Sequence, residues 1–387
     1  MELALCDLAK RVKELKQWRD AGDPQFAVQE KKLPGFLHGA VKGLMWIHNK
    51  RILHRDIKPE NVLIFETSNG EIAKLGDFGI SRKLSETSTG TNSAGRGTSD
   101  WMAPEALQAM NNAETFFSTR NIDIFSLGMT SHYAISLGSH PFKYKSRFGI
   151  FIMTNIMQKS VQPTNLSYPH LEADHLFQWM MQKDAQKRPK ILVVSHHPFF
   201  WNWKQKKDFL LKVAMCFDSK KDSTLLQIRK EVDLNYKVII TKLTSVQSNW
   251  LKRLGPRLES LLSQRQHSKG TKKYDGDSIM MLVELFRDKY MHCTDMVDEL
   301  TTSDLYFGEN GSFSEKKYVN YFLNTFPELV IILFCLLADR KKELVVLKNK
   351  YYSHFNTVPP IVPVHHYYIH DNHVVISDSP VENLMLI

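Results

Sequence analysis

The amino-acid sequence predicts a mainly α-helical protein of the α+β class with two consecutive domains. At 387 residues the chain is longer than most single domains, and its 43% hydrophobic content is sufficient for two cores. Most periodic segments repeat apolar residues at the three-and-four spacing of helices, whereas the β-rich runs are few and short. We therefore expect a small number of strands within a mostly helical fold.

The first region opens with a helical pattern followed by a hairpin pattern. Residues 37–49 place apolar side chains at helical spacing and predict a helix. Residues 62–65 and 72–75 are short β-rich runs on either side of Thr-Ser-Asn-Gly (67–70), a combination that indicates a β-hairpin. The next segment, 81–99, is rich in Ser, Thr and Gly and predicts a mobile loop.

Helical patterns resume at 121–135 and 171–182, and the region closes at His-Pro-Phe-Phe-Trp (197–201). Beyond it a new series of amphipathic segments predicts helices at about 204–217, 222–243, 248–266, 278–290 and 315–340. From Tyr351 onward several prolines interrupt a His-, Tyr- and Val-rich sequence. We therefore predict a first domain at 1–201, a second at 202–352 and an extended tail at 353–387.

Composition limits the class of partner and the cellular setting. The formal charge of +10 favours an acidic partner such as nucleotide phosphates, RNA or an anionic membrane surface. The four cysteines lie far apart without a CxxC pair, which favours a reducing, cytosolic setting. The longest apolar run, 329–338, has about half of the ~20 residues that a bilayer crossing requires.

Three short motifs occur in the first region in a fixed order. They are Leu-His-Arg-Asp-Ile-Lys-Pro-Glu-Asn (53–61), Gly-Asp-Phe-Gly (76–79) and Ala-Pro-Glu (103–105). In this order and spacing they resemble the catalytic core of protein kinases. With Lys58 at this position, the first motif resembles that of serine/threonine kinases rather than that of tyrosine kinases.

The kinase resemblance implies a role for each polar residue of these motifs. Asp56 would be the catalytic base and Lys58 would lie near the γ-phosphate of ATP. Asn61 and Asp77 would hold Mg²⁺ against the phosphates. Lys58, Asn61 and Asp77 are thus the expected cofactor-binding residues, with ATP and Mg²⁺ as cofactors.

Four further residues resemble structural parts of a kinase. Arg55 would pair with a phosphate in the loop between the second and third motifs. Glu105 and Arg188 look like the family's buried ion pair, and Asp123 looks like the helix residue that braces the first motif.

The glycine-rich loop and the strand lysine of kinases lie about 100 residues before the first motif, whereas 53 residues precede His54 here. The opening residues, 1–6, resemble the hinge after the small lobe. We therefore expect a chain truncated at its N-terminus, holding the hinge and C-lobe, which as written binds ATP weakly and transfers phosphate poorly.

The junction at 197–201 leads directly into the second helical region and resembles the Ire-type kinase/endoribonucleases of the unfolded protein response. These are related to the 2-5A-dependent ribonuclease, RNase L, in which an all-α kinase-extension nuclease (KEN) domain follows the kinase lobe. Residues 101–105, 123–126 and 138–142 are also similar to the Ire-type pattern. The resemblance covers about residues 1–350.

RNA cleavage in this family needs no metal and relies on Tyr, Arg, Asn and His side chains. Tyr274, Arg287 and His292 fall at the family spacing and are the expected ribonuclease residues. Histidine transfers protons near neutral pH, and a guanidinium suits a bidentate phosphate contact. Asp288 stands where the family pattern has Asn, and a carboxylate beside a phosphodiester would repel it.

Between positions 252 and 273 the sequence has seven basic residues and a single acidic residue, Glu259. This excess of positive charge favours contacts with RNA phosphates or a solvated basic surface.

The resemblance implies an ATP-responsive kinase and endoribonuclease that pairs into a homodimer or oligomer and cleaves RNA in stress signalling. One alternative is a pseudokinase and nuclease-like scaffold that dimerises with an active paralogue. Another is an RNase L-like antiviral ribonuclease, and a third is a kinase whose extension only docks partners.

The localisation that we expect depends on the sensor domain that would precede residue 1 in the full-length protein. A lumenal domain with a membrane span would place this chain on the cytosolic face of the endoplasmic reticulum, whereas ankyrin repeats would make the protein cytosolic. In either case residues 1–387 are predicted to be cytoplasmic.

Overall fold

The computed structural model divides into two compact units, and the main boundary between them in the sequence lies between Phe200 and Trp201. The first unit comprises residues 1–200 and 354–357, and the second comprises residues 201–353 and 358–387. The described residues are 3–83, 98–112, 119–143, 152–158, 171–218, 222–242, 248–254, 264–267, 270–292, 313–340, 342–354, 359–360, 367–370 and 373–376. The loop expected at 81–99 therefore lies mostly outside the described residues.

The first unit contains eight described α-helices and five short strands. The helices are α1 (Leu8–Asp20), α2 (Gln25–Glu30), α3 (Leu33–Asn49), α4 (Pro104–Asn111), α5 (Arg120–Ile135), α6 (Ile152–Gln158), α7 (Leu171–Met180) and α8 (Ile191–Ser195). The strands are β1 (Cys6–Asp7), β2 (Ile52–Leu53), β3 (Val62–Thr67), β4 (Gly70–Leu75) and β5 (Arg82–Lys83).

Helices α3 and α5 form the centre of the first unit. Helix α3 buries one apolar face, and α5 is buried around most of its circumference. The hairpin β3–β4 packs on α3, where a side chain at Gly39 would place its Cβ 2.4 Å from the carbonyl oxygen of Ala73. Only glycine allows the helix and the strand to approach this closely.

A three-stranded antiparallel sheet in the order β1-β3-β4 places an ion cluster at the hairpin. Glu71 on β4 accepts hydrogen bonds from Arg11 Nη1 and Nη2 at 3.2 and 2.8 Å and from Lys32 Nζ at 2.7 Å. The hydrogen bond from Arg11 is the main reason that the pKa of Glu71 falls to about 2. The cluster therefore ties helices α1 and α3 to the sheet while its carboxylate is charged.

The second unit contains six described α-helices and two hairpins. The helices are α9 (Trp203–Cys216), α10 (Ser223–Lys242), α11 (Ile279–Met291), α12 (Glu315–Thr325), α13 (Leu329–Ala338) and α14 (Val345–Leu347), the last followed by a π-helical turn, Lys348–Tyr352. The hairpins pair β6 (Gln264–His267) with β7 (Gly270–Lys273) and β8 (Tyr367–His370) with β9 (His373–Ile376).

Helix α13 lies at the core of the second unit, because nine of its ten residues are buried. Aromatic rings from other segments pack against Phe334 of this helix. The ring centroid of Trp201 lies 5.3 Å from that of Phe209, 5.7 Å from that of Phe334 and 5.1 Å from that of Tyr351. Trp201, the last residue of the predicted first domain, thus packs within the second unit.

The mainly α, α+β class is confirmed, but two predicted helices are wrong in their extent. The segment 315–340 forms two helices because Pro327 interrupts the pattern and cannot donate a helical hydrogen bond. Residues 264–266, the last part of the helix predicted at 248–266, lie instead in strand β6, since the Ser-Lys-Gly sequence (268–270) that follows this strand is suited to a hairpin turn. The tail carries the hairpin β8–β9.

Among the described residues, no single helix has the length and apolar content of a membrane span. Helices α12 and α13 meet that test only as a pair, and they are bent by 78° relative to each other.

We predict that Glu71→Gln weakens the first unit at neutral pH by about 1–3 kcal/mol, since it removes a charge-assisted acceptor. The folded-state pKa of Glu71 is about 2, below its ordinary value of 4.5, so its contribution exists above pH 4.5 and is lost as pH falls toward 2. Denaturant unfolding between pH 2 and 7 measures both effects. Glu66→Gln, an exposed position paired with Glu71 across the hairpin, is the control, and equal losses for both variants would contradict the prediction.

Candidate functional site

The first motif is held by the buried carboxylate of Asp123 on α5. Its oxygens accept hydrogen bonds from the backbone N–H groups of His54 at 3.0 Å and Arg55 at 2.8 Å. His48 Nε2 lies 2.8 Å from the same carboxylate. Arg55 has a φ of 70°, a left-handed conformation that needs such support in a non-glycine residue.

Asp56 lies at the centre of a polar cluster. Its carboxylate accepts hydrogen bonds from Lys58 Nζ at 2.8 Å, from Asn61 Nδ2 at 3.1 Å, and from both the N–H and the hydroxyl of Thr98 at 3.0 Å. Burial by itself would raise the pKa of Asp56, but the hydrogen bonds from Lys58 and Thr98 outweigh it and lower that pKa. The cluster keeps the carboxylate charged and oriented.

Asn61 and Asp77 have the donor atoms that a magnesium site requires. The amide nitrogen of Asn61 donates to the carbonyl oxygen of Asp56 at 2.7 Å, which leaves the amide oxygen for a cation. Asp77 is exposed at a φ of 57°, and its Oδ1 accepts the N–H of Gly79 at 3.2 Å. One carboxylate and one amide oxygen fit Mg²⁺, which prefers hard oxygen ligands together with substrate phosphates.

The expected ion pair between Glu105 and Arg188 is present. Arg188 Nη1 and Nη2 donate to the two Glu105 oxygens at 2.7 and 2.8 Å, and the guanidinium also donates to three backbone carbonyls. The guanidinium of Arg55 donates to the carbonyl oxygen of Ile80, with Nε at 2.8 Å. Most of the loop expected to carry its phosphate partner, residues 84–97, lies outside the described residues, so that pairing stays a prediction.

The second candidate site is built around the N-terminus of α11. The hydroxyl of Ser278 caps the helix by accepting the N–H of Met281 at 3.1 Å. Asp233 on α10 accepts the Ser278 hydroxyl at 2.8 Å and the N–H of Met280 at 3.1 Å. Burial raises the pKa of Asp233 despite these hydrogen bonds. Helix α10 thereby determines where α11 begins.

Tyr274 is positioned by the turn that precedes α11 and by Trp250. The buried Trp250 donates its backbone N–H to the carbonyl of Gly276 and its indole N–H to that of Ser278, both at 2.9 Å. Its ring meets Tyr274 edge to face at 6.5 Å. The phenol of Tyr274, 6% exposed, is thus held beside α11.

Asp288 connects Tyr274 with Arg287. The Tyr274 hydroxyl donates to Asp288 Oδ2 at 2.9 Å, and Arg287 Nε and Nη2 donate to Oδ1 at 3.1 and 2.9 Å. Arg287 Nη1 also lies 3.0 Å from Oδ1 of Asp218, just beyond α9. Burial alone would lower the pKa of Arg287, but the bonds to Asp288 and Asp218 raise it. The arginine therefore stays charged.

His292 caps the C-terminal end of α11 and is exposed. Its backbone N–H donates to the carbonyl oxygen of Asp288 at 3.1 Å. The two residues are four positions apart, so the histidine lies one helical turn beyond Asp288 on the same face of the helix.

The structure thus brings Tyr274 and Arg287 together through Asp288 and places His292 one turn away. Sequence reasoning missed Asp218 and Trp250, which contact Arg287 and Tyr274 respectively. The neighbourhood of Asp218 carries no motif, because this residue meets α11 only after α9 and α11 pack together. From sequence alone, a tryptophan such as Trp250 predicts a position in the hydrophobic core and gives no indication of a functional contact.

The basic stretch is not uniformly available for phosphate. Arg253 donates to both carboxylate oxygens of Glu328 and to the carbonyl of Thr325, with a side chain only 13% exposed. Lys252 is exposed. The structure does not describe the side chains of the other five basic residues of the stretch.

We predict that Asp123→Asn lowers the free energy of unfolding by about 3 kcal/mol, because buried donors lose a charged acceptor. Denaturant unfolding measures the change, with Asp184→Asn on an exposed turn as the control. An Asp123→Asn protein as stable as the control would show that this carboxylate does not support the motif.

We predict that Gly276→Ala destabilises the second unit through Asn249. A Cβ at position 276 would lie 2.0 Å from Asn249 Oδ1, which itself accepts the N–H of Leu251 at 3.1 Å. Displacing this cap costs about 1 kcal/mol. The double variant with Asn249→Ala should therefore be no less stable than Asn249→Ala alone. Additive losses in thermal unfolding would contradict this prediction.

Both regions of the chain match known protein families. Residues 4–200 match the model of the protein kinase domain, and residues 206–369 match that of Ribonuclease 2-5A. The serine/threonine-protein kinase/endoribonuclease IRE1 of Oryza sativa subsp. japonica is 30% identical over 85% of this chain and 33% of its own length. IRE1b of Arabidopsis thaliana, of the same description, is 30% identical over 84% of this chain and 34% of its own.

A third relative, described as an inactive serine/threonine-protein kinase/endoribonuclease IRE1-like protein of Arabidopsis thaliana, is 28% identical over 86% of this chain and 57% of its own length. The chain thus spans about a third of the first two relatives. Its two family matches, in this order, agree with the two units and with the motifs at both candidate sites. The chain belongs to the protein kinase family and, within it, to the Ire-type kinase/endoribonucleases.

Proposed function

We propose that this chain is the kinase and nuclease part of an ATP-responsive serine/threonine kinase and endoribonuclease that cleaves RNA in unfolded-protein or stress signalling. The proposal rests on the placement of Tyr274 and Arg287, whose side chains both donate to the carboxylate of Asp288. A phenol and a guanidinium that converge on one anionic group are suited to binding a phosphodiester. The kinase-type cluster around Asp56 in the other unit supports the nucleotide-responsive half.

In the nuclease, the ribose 2′-hydroxyl attacks the adjacent phosphate and the bond to the 5′-oxygen breaks. Arg287 stabilises the negative charge of the phosphorane, and Tyr274 donates a hydrogen bond to it. The proton of the 2′-hydroxyl passes to a base as the new bond to phosphorus forms, and the leaving 5′-oxygen takes up a proton from an acid. His292, an exposed histidine, is the proposed proton-transfer group of this reaction. This cleavage reaction needs no metal ion.

In the kinase half, Asp56 orients the hydroxyl of the protein substrate and Lys58 neutralises charge on the transferring phosphate. Asn61 and Asp77 would hold Mg²⁺, since an amide and a carboxylate oxygen are ligands that this cation prefers. The metal would supply positive charge against the phosphates of ATP.

We further propose that the protein pairs through its kinase and nuclease units and that nucleotide binding favours pairing. Association of two nuclease units then regulates RNA cleavage. The proposed location is cytoplasmic, at the cytosolic face of the endoplasmic reticulum.

A second candidate function is a nuclease-like scaffold that pairs with an active paralogue. Asp288 favours it, because its carboxylate takes up the donors that the phosphate would need. One relative of similar coverage is itself described as inactive.

We predict that His292→Ala lowers the rate of stem-loop RNA cleavage by about 10² to 10⁴ without changing stability, because it removes a proton-transfer group from an exposed position. Single-turnover cleavage measures the rate. His267→Ala, from strand β6 of the same unit, is the control. Equal cleavage by the wild type and His292→Ala, or no cleavage by either at micromolar protein, would count against nuclease function.

A further inference from the structure

The carboxylate of Asp288 is bound as a phosphate group would be. One of its oxygens accepts the Tyr274 hydroxyl at 2.9 Å, and the other accepts Nε and Nη2 of Arg287 at 3.1 and 2.9 Å. Phosphodiesters present the same pair of anionic oxygens to the same kind of donors. An RNA phosphate that approaches Arg287 and Tyr274 therefore competes with a carboxylate that belongs to the chain.

A second carboxylate, from another element, contacts the remaining edge of the guanidinium. Arg287 Nη1 lies 3.0 Å from Asp218 Oδ1, two residues after the end of α9. The Asp218 side chain is 67% exposed, whereas those of Arg287 and Asp288 are 14% and 19% exposed. Asp218 can therefore move into solvent, while Asp288 is held in place by three donor groups.

The charges of these three side chains oppose an incoming anion. Two carboxylates face one guanidinium, so this group carries one net negative charge with both acids ionised. A phosphodiester is also negative and would be repelled at contact distance. Removal of either carboxylate makes the group neutral, and removal of both makes it positive.

We propose that Asp288, assisted by Asp218, is an internal stand-in for the RNA phosphate that occupies Tyr274 and Arg287 and sets the affinity for RNA. The inference rests on the proposed nuclease function, since it concerns the phosphate-binding part of that site. Asp288 acts by occupying the donors, and Asp218 acts by holding the guanidinium toward α9. RNA binds when its phosphate displaces both carboxylates.

The two acids contribute unequally. A mostly exposed ion pair is worth little, because water and salt screen it and the side chain loses rotamer freedom in forming it. Asp288 is more enclosed and satisfies both Tyr274 and Arg287. The structure therefore predicts a large effect for Asp288→Asn and a small one for Asp218→Asn.

Binding is measured apart from cleavage with a labelled stem-loop RNA in which every ribose carries a 2′-O-methyl group, so that no hydroxyl can attack. The full chain is compared with Asp288→Asn, Asp218→Asn and the double variant at fixed salt. Asp339→Asn is the control, because it removes the same charge from an exposed position after α13 in the same unit. Thermal unfolding establishes that each variant is folded.

We expect Asp288→Asn to bind at least about tenfold more tightly, because a unit charge is lost at contact distance from the phosphate. Asp218→Asn should tighten binding by less than about threefold, in keeping with an exposed pair, and Asp339→Asn should match the wild type. Equal affinities for the wild type and Asp288→Asn would overturn the inference. A gain from Asp339→Asn as large as that from Asp288→Asn would also overturn it, because the effect would then reflect net charge alone.

Cleavage of the unmodified RNA separates this inference from the proposed function. Tighter binding by Asp288→Asn without cleavage by any variant supports the internal stand-in and contradicts the nuclease function. Cleavage by the wild type with unchanged binding in Asp288→Asn supports the nuclease function and contradicts the stand-in.

Discussion

A carboxylate that is wholly or partly removed from water must be paired with donors, and this requirement positions the backbone at both candidate sites. In the first unit, the buried Asp123 accepts two consecutive backbone N–H groups and holds Arg55 at a φ of 70°. In the second unit, the half-buried Asp233 accepts the Ser278 hydroxyl and the N–H of Met280 in the first turn of α11. Loss of these hydrogen bonds would leave polar groups unpaired, so each carboxylate keeps its segment in one conformation. The geometry of both candidate sites depends on these contacts.

The two candidate sites differ in the role that we propose for their central carboxylates. Asp56 is surrounded by donors from Lys58 and Thr98, which keep it charged and fixed in orientation. Asp288 instead takes up the hydroxyl of Tyr274 and the guanidinium of Arg287. Under the proposed function, a carboxylate with several donors would orient a substrate hydroxyl at the first site and would compete with the substrate phosphate at the second.

Sequence reasoning located the elements that carry the sites more accurately than their ends. The hairpin of β3 and β4 and the helices α5 and α11 lie close to where periodicity and turn residues predict them. Pro327 divides a predicted helix, and the hairpin at β6 replaces part of another, because turn-forming residues overrode an apolar repeat. Arg253 belongs to the basic stretch that was expected either to contact RNA phosphates or to form a solvated surface, but the carboxylate of Glu328 binds its guanidinium in the fold.

Motif spacing is a property of the chain, so the residues alone were sufficient to predict the family, the order of the motifs and the candidate residues Asp56, Tyr274, Arg287 and His292. The partners of these residues became known only from the packing of the chain in three dimensions. Asp218, two residues beyond the end of α9 and nearly seventy positions before Arg287, reaches that arginine because α9 packs against α11. Contacts between distant segments follow from how apolar faces pack, and short sequence patterns do not encode that arrangement.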